Sequence, residues 1–191
     1  DALTHAIEAY TAVDYDQLEV PPGESSGYEG RYPLGECIAQ RAIELIGNHL
    51  STAVRAPDNA EARQAMSLAA TMAGMAFSNC GVALVHALEL SLGGALHCSH
   101  GAGNGLLLPH VMRFNLPQRK RTFARIAMLL GEDVSGLNDD QAAERAIAAV
   151  EQLARDIGIP ERIRDLGGTE EQRPTLAEKA FAIKRLRWMN P

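Results

Sequence analysis

The chain has 191 residues, 46% of them hydrophobic and 22% charged, enough to bury one sizeable core beneath an ordinary charged surface. Its formal net charge of −6 disfavours a nucleic-acid partner, because neutralising phosphates needs a clustered excess of Lys and Arg, and only short pieces such as Arg119-Lys120-Arg121 offer one. Cys37, Cys80 and Cys98 are odd in number and widely spaced, and no apolar run approaches the ~18 residues of a membrane span, so a cytoplasmic protein without disulfides or membrane segments is expected.

Apolar spacing at three and four residues dominates and alternating Val/Ile/Thr runs are scarce, which predicts an all-α, multihelical architecture in a single α-helical domain, residues 1–191. Residues 1–12 read as a helix entered without a capping approach, so the chain is expected to be a piece of a longer one. From Val13 to Pro33 the composition shifts to Pro, Gly, Ser and Tyr, predicting a long loop of a length often tied to function or partner binding. The helical period returns over residues 34–50, with Ile38, Ala42, Leu45 and Ile46 on the apolar side. Residues 56–79 follow with Asp58 or Asn59 as N-cap and Glu61 complementing the first-turn dipole; their Ala, Gly and Ser content predicts a tightly packed central helix. Further on, a turn is expected at Pro117 and a helix from there to Gly131. Another helix starts at a cap on Asn138 or Asp139 and stops at Gly158-Ile159-Pro160. The basic, amphipathic tail over 173–191 is expected to pack on its own bundle.

Between these elements, "HALELSLGGALHCSHGAGNGLLLPH" at 86–110 places four of the six histidines in an apolar, glycine-rich setting. Gly101, Gly103 and Gly105 do not make a dinucleotide loop, since Leu106 stands where the third glycine is needed and no strand precedes them. They are expected to let backbones approach each other or a ligand. No GKS/GKT loop, no GxSxG elbow and no cysteine beside a convincing base is present, so nucleophilic catalysis is disfavoured. Asp1 and His5, four apart on a helix, share one face and can reach a common point, a spacing that suits a metal or a plain hydrogen bond. Any one of His86, His97, His100 and His110 reads most simply as a neutral core histidine satisfied by a carbonyl. Four within so short a run strain that reading, because a single divalent cation would satisfy several at once. Imidazoles with one carboxylate suit Fe(II), Zn or Ni, and an open position on such an ion polarises a substrate oxygen. Cys98, between His97 and His100, is a candidate soft ligand, although an inert buried thiol is the commoner fate of free cysteine.

Three stretches, "DALTHAIEAY", "AGMAFSNCGVALVHALE" and "LGGALHCSHGAGNGLLLPHVMRFN", together with "RDIGIPERIRDLG", resemble the C-terminal domain of the iron-dependent, group III alcohol dehydrogenases, a family related in fold to dehydroquinate synthase and glycerol dehydrogenase. The resemblance implies a metal held by Asp1, His5, His86 and His100, the last two fourteen positions apart, with His97 and His110 outside the ligand set and His110 structural or supporting. It implies Fe(II), or Zn or Ni, and a homodimer that oxidises or reduces a small alcohol, aldehyde or hydroxyacid with NAD(P). The dinucleotide would be bound mainly by an N-terminal α/β domain with a GGGS-type loop, which these residues lack, so the fragment alone is expected to be inactive. Many relatives carry another histidine where this chain has Leu90, so no proton donor is assigned; water, substrate hydroxyls or His97 are the substitutes. The loop at 13–33 resembles the longer connection of hydroxyacid–oxoacid transhydrogenases, the alternative enzyme reading. A helical interaction domain whose histidines are merely buried, without metal, is the rival from another class.

Overall fold

In a computed structural model that describes residues 1–191, the chain forms α-helices and short 3-10 turns with no β-strand, an all-α architecture. The first helix, α1 (Ala2–Thr11), is too short to be stable on its own, and packing holds it. Leu3, Thr4, Ala6, Ile7, Ala9 and Tyr10 are all buried, because α1 lies against α2 (Pro33–Arg55), α3 (Ala60–Cys80) and α5 (His100–Leu129). Pro33 opens α2 where a missing N–H costs nothing, and Glu36 sits in its positive first turn. Of the two candidate caps of α3, Asn59 accepts the Ala62 N–H. The buried stripe of α3, Ala62, Ala69, Ala73, Ala76 and Cys80, is small throughout, which lets α1 and α2 pack closely on it.

Gly81, at φ 101°, ends α3, and the chain bends by 106° into α4 (Leu84–Leu96). His97 terminates α4 in the left-handed region at φ 53°, a position usually given to glycine. In α5 the turn expected at Pro117 is a kink instead: helical hydrogen bonding continues on both sides and only Arg119, at φ −130° and ψ 27°, leaves helical geometry. Proline removes one ladder hydrogen bond and crowds the preceding turn, which bends a long helix without ending it when both halves are packed. The helix packs along α6 (Asp139–Asp156), whose capping box pairs Asn138 with Gln141. Two 3-10 turns, Ile163–Leu166 and Glu170–Gln172, lead to the tail. The tail is not one amphipathic helix but two, α7 (Arg173–Phe181) and α8 (Lys184–Trp188), and it packs on its own bundle through Leu176, Ala180, Leu186 and Met189.

The segment between α1 and α2 is non-helical, mostly exposed in its middle and pinned at both ends. Arg31 donates to Asp14 at 2.6 Å, Arg119 donates to Asp14 at 3.1 Å and to the Thr11 and Ala12 carbonyls, and the Val13 N–H reaches the Met189 carbonyl. One apolar core, centred on Ile7, Ile43, Ile46, Met112, Phe123, Ile126 and Ile147, joins α1, α2, α3, α5 and α6. No single helix is long and apolar enough to cross a membrane. This packing brings the start of α1, the first turn of α4 and the first turn of α5 to one place.

Candidate metal centre

Asp1 precedes α1, His86 lies in the first turn of α4, and His100 opens α5. One ligand atom from each, a carboxylate oxygen and two imidazole nitrogens, all lie within 4.8 Å of one another. Oδ1 of Asp1 is the hub, 3.6 Å from Nε2 of His86 and 3.5 Å from Nε2 of His100. His5 joins from one side: its Nδ1 is 3.5 Å from Oδ2 of Asp1, and its ring is stacked between Phe77 at 4.2 Å and His86 at 4.6 Å. Burial, followed by the neighbouring His86, pushes the His5 imidazole down to about 3, so near neutrality it keeps a lone pair for a Lewis acid. Three of the four sequence-derived ligand candidates therefore converge, and the fourth, His5, is coupled to them through the Asp1 carboxylate and the ring stack.

Two carboxylates absent from the sequence reading set the direction of the histidines. Glu8, 3% exposed, faces Nδ1 of His86 at 2.5 Å with one oxygen and accepts the Val85 N–H with the other. Glu89, 2% exposed, bonds Nδ1 of His100. A carboxylate only accepts, so each imidazole carries its proton on Nδ1 and turns the Nε2 lone pair toward Asp1. Buried charges of this kind are retained when they are paired or coordinate a metal. Both had a sequence signal. Glu89 is the only Asp, Glu, Lys or Arg between Arg63 and Arg113, and Glu8 the only one between Asp1 and Asp14. The glycines serve Glu89: a Cβ on Gly103 would meet its Cγ at 2.9 Å and one on Gly93 its Oε1 at 2.6 Å. Gly105 instead packs against Ile159, and Gly101 lies beside Asp1.

The remaining candidates fall outside. His97 caps α4 and is not in the cluster. His110 is exposed and, with Glu151, lines a separate cavity of about 240 Å³, so it does not support the cluster. Cys98 is part-buried against the apolar core. Leu90 is 53% exposed and has nothing to titrate. Neutral nitrogen donors, a central carboxylate and two buried carboxylates behind them make a set that suits a borderline divalent transition metal such as Fe(II), Zn or Ni and not an all-oxygen cation.

Residues 29–191 match the family model described as "Fe-containing alcohol dehydrogenase family, C-terminal". The chain belongs to that family. The same family includes a 1,3-propanediol dehydrogenase of Klebsiella pneumoniae, 43% identical over 181 residues, which covers 95% of this chain and 43% of that enzyme. An NAD-dependent methanol dehydrogenase of Bacillus methanolicus is 42% identical over 181 residues, again with 95% of this chain and 43% of the enzyme covered. A solved 1,3-propanediol oxidoreductase superposes with a TM-score of 0.89 at 42% identity, over 100% of this chain and 46% of that one. The chain thus spans less than half the length of these members of the iron-type alcohol dehydrogenase family, and its fold is that of their all-α C-terminal part.

Proposed function

We propose that the full-length protein is a metal-dependent, NAD(P)-linked alcohol dehydrogenase, and that this chain is the domain that holds the ion, through Asp1, His5, His86 and His100. The observation that carries this is the convergence of Asp1, His86 and His100, each histidine backed by a buried glutamate. Such carboxylate–histidine pairs fix ring orientation and raise ligand basicity. Fe(II), with Zn or Ni as alternatives, would supply Lewis acidity toward an alcohol or carbonyl oxygen, lowering the barrier to hydride exchange with nicotinamide. The chain's own residues do the holding. Glu8 and Glu89 keep the Nδ1 protons away from the centre, and Asp1 presents one oxygen to the histidines and the other toward His5. The Phe77–His5–His86 stack shields the His5 ring from water. Leu90, half exposed in the middle of α4, moves no proton, so protons exchange through water or the substrate hydroxyl.

The dinucleotide site is assigned to parts of the full-length protein outside these residues, consistent with relatives more than twice as long. Substrates are proposed to be small alcohols or aldehydes, as the names of the propanediol and methanol dehydrogenases suggest. The test is metal analysis of the full-length protein after anaerobic reconstitution with Fe(II), Zn or Ni. One ion per chain is expected in the wild type and none in the His86→Ala/His100→Ala double variant. A wild type without stoichiometric metal overturns the reading in favour of a helical interaction domain. Turnover that needs no added NAD(P) but couples a hydroxyacid to an oxoacid would assign a transhydrogenase instead.

A further inference from the structure

Asn104 sits one turn into α5 and is completely buried, with 0% exposure. Its amide nitrogen is 2.8 Å from Oδ1 of Asp1, 3.1 Å from Nε2 of His100 and 3.3 Å from Nε2 of His86. An NH2 group has two hydrogens, so one nitrogen among three acceptors cannot satisfy all of them. The other end of the same amide, Oδ1, is buried with no hydrogen-bond partner, the one such side-chain atom in the chain. An orphaned buried acceptor has lost its water without a replacement and is uncommon in native interiors.

This orientation follows from the surroundings. The Glu8 and Glu89 contacts direct the Nε2 lone pairs of His86 and His100 inward, so with Asp1 three acceptors face one point. Only a donor or a cation suits that point. Without a cation the NH2 end must face it and Oδ1 is turned away to a buried side where it meets no donor. With a divalent ion among the three acceptors the preference inverts: N–H dipoles pointing at a cation are repelled, whereas an amide oxygen is a favourable hard donor.

We propose that Asn104 is a metal-responsive amide: its NH2 group holds Asp1, His86 and His100 in register while no ion is bound, and its Oδ1 turns toward the ion as an additional oxygen donor when one binds. The rotation exchanges the two ends of a planar group of nearly equal size, so it needs little repacking. It gives the unsatisfied oxygen a partner and takes the N–H dipoles away from the ion, the NH2 group then occupying the buried side that Oδ1 faces in the metal-free form. This rests on the metal-centre reading above, and Asn104 acts by positioning ligands and completing their set.

The experiment compares wild-type, Asn104→Ala and Asn104→Asp full-length protein, titrated with Co(II) and Zn(II) against a chromophoric chelator, with circular dichroism confirming equal helical content. Removing a group that supports a metal site typically weakens affinity by about 10–100-fold, and a loss of that size is expected for Asn104→Ala. Asn104→Asp keeps an oxygen at the same place and is expected to restore affinity to the wild-type level or above, while lowering the thermal midpoint of the metal-free form, where its charge faces Asp1. The Co(II) derivative of Asn104→Ala is expected to absorb more strongly in the visible than wild type, as a lower coordination number requires. Unchanged affinity and spectrum in Asn104→Ala overturn the proposal, as does equal weakening in both variants. Failure of the wild type itself to bind Co(II) or Zn(II) would instead overturn the metal-centre reading.

Discussion

Glu8 and Glu89 are two buried carboxylates, each set against the Nδ1 of one histidine, and the arrangement controls imidazole direction. In each pair the carboxylate accepts a hydrogen bond from the Nδ1–H, and the opposite nitrogen faces Asp1. Glutamine at either position can accept one hydrogen bond with its oxygen but adds a donor and removes the charge that raises ligand basicity. Glu8→Gln and Glu89→Gln are each expected to weaken metal affinity by about 10–100-fold with little loss of helix, measured by chelator competition. Glu8→Gln is expected to be the more damaging to folding, because Glu8 also accepts the Val85 N–H at the start of α4. These residues were visible in the sequence only as isolated charges in uncharged runs, and nothing local said which histidine each would meet.

At the scale of elements, the long α1–α2 connection is tied to the kink of α5. Arg119 leaves helical geometry and in doing so carries its guanidinium to the Thr11 and Ala12 carbonyls, the open C-terminal end of α1, and to Asp14. The cation at a helix C-terminus satisfies orphan acceptors and complements the dipole. Arg119→Ala is expected to cost about 2 kcal/mol, a loss typical of hydrogen bonds to charged groups. Urea denaturation read by far-ultraviolet circular dichroism checks it, and hydrogen exchange should increase first at the end of α1 and over 13–32. Sequence spacing located both partners, a proline break near 117 and a loop from 13 to 33, but treated them as separate features. The kink became a junction because both halves of α5 are packed, so a missing hydrogen bond bends the helix where a solvent-exposed segment would have ended.

Across the whole molecule, the ligand candidates come from the starts of α1, α4 and α5, so a bound ion would staple three elements together at one point. An ion that binds the native but not the unfolded chain stabilises it by about 2.7 kcal/mol at a free concentration about 100-fold above Kd, or roughly 5–10 °C in Tm for a domain of this size. Scanning calorimetry of metal-loaded protein with and without EDTA is expected to show that difference, absent in the His86→Ala/His100→Ala variant. The amino-acid sequence by itself determined the all-α class, most helix positions, the cap of each of two helices to within one residue (Asp58 or Asn59, Asn138 or Asp139), and the histidine-rich stretch. Those depend on hydrogen bonds and apolar stripes within a few residues, where the pattern is complete. Its resemblance to the iron-dependent alcohol dehydrogenases was carried by short motifs and was met by the family match over residues 29–191. What only the tertiary structure decided is direction: which ring nitrogens face Asp1, that Glu8 and Glu89 stand behind them, that Gly93 and Gly103 make room for Glu89, that His110 points to solvent, and that Asn104 lies at the centre. Residues 1, 86 and 100 meet because α1, α4 and α5 converge, and the orientation of a side chain at such a meeting is set by partners from other helices, which no local pattern contains.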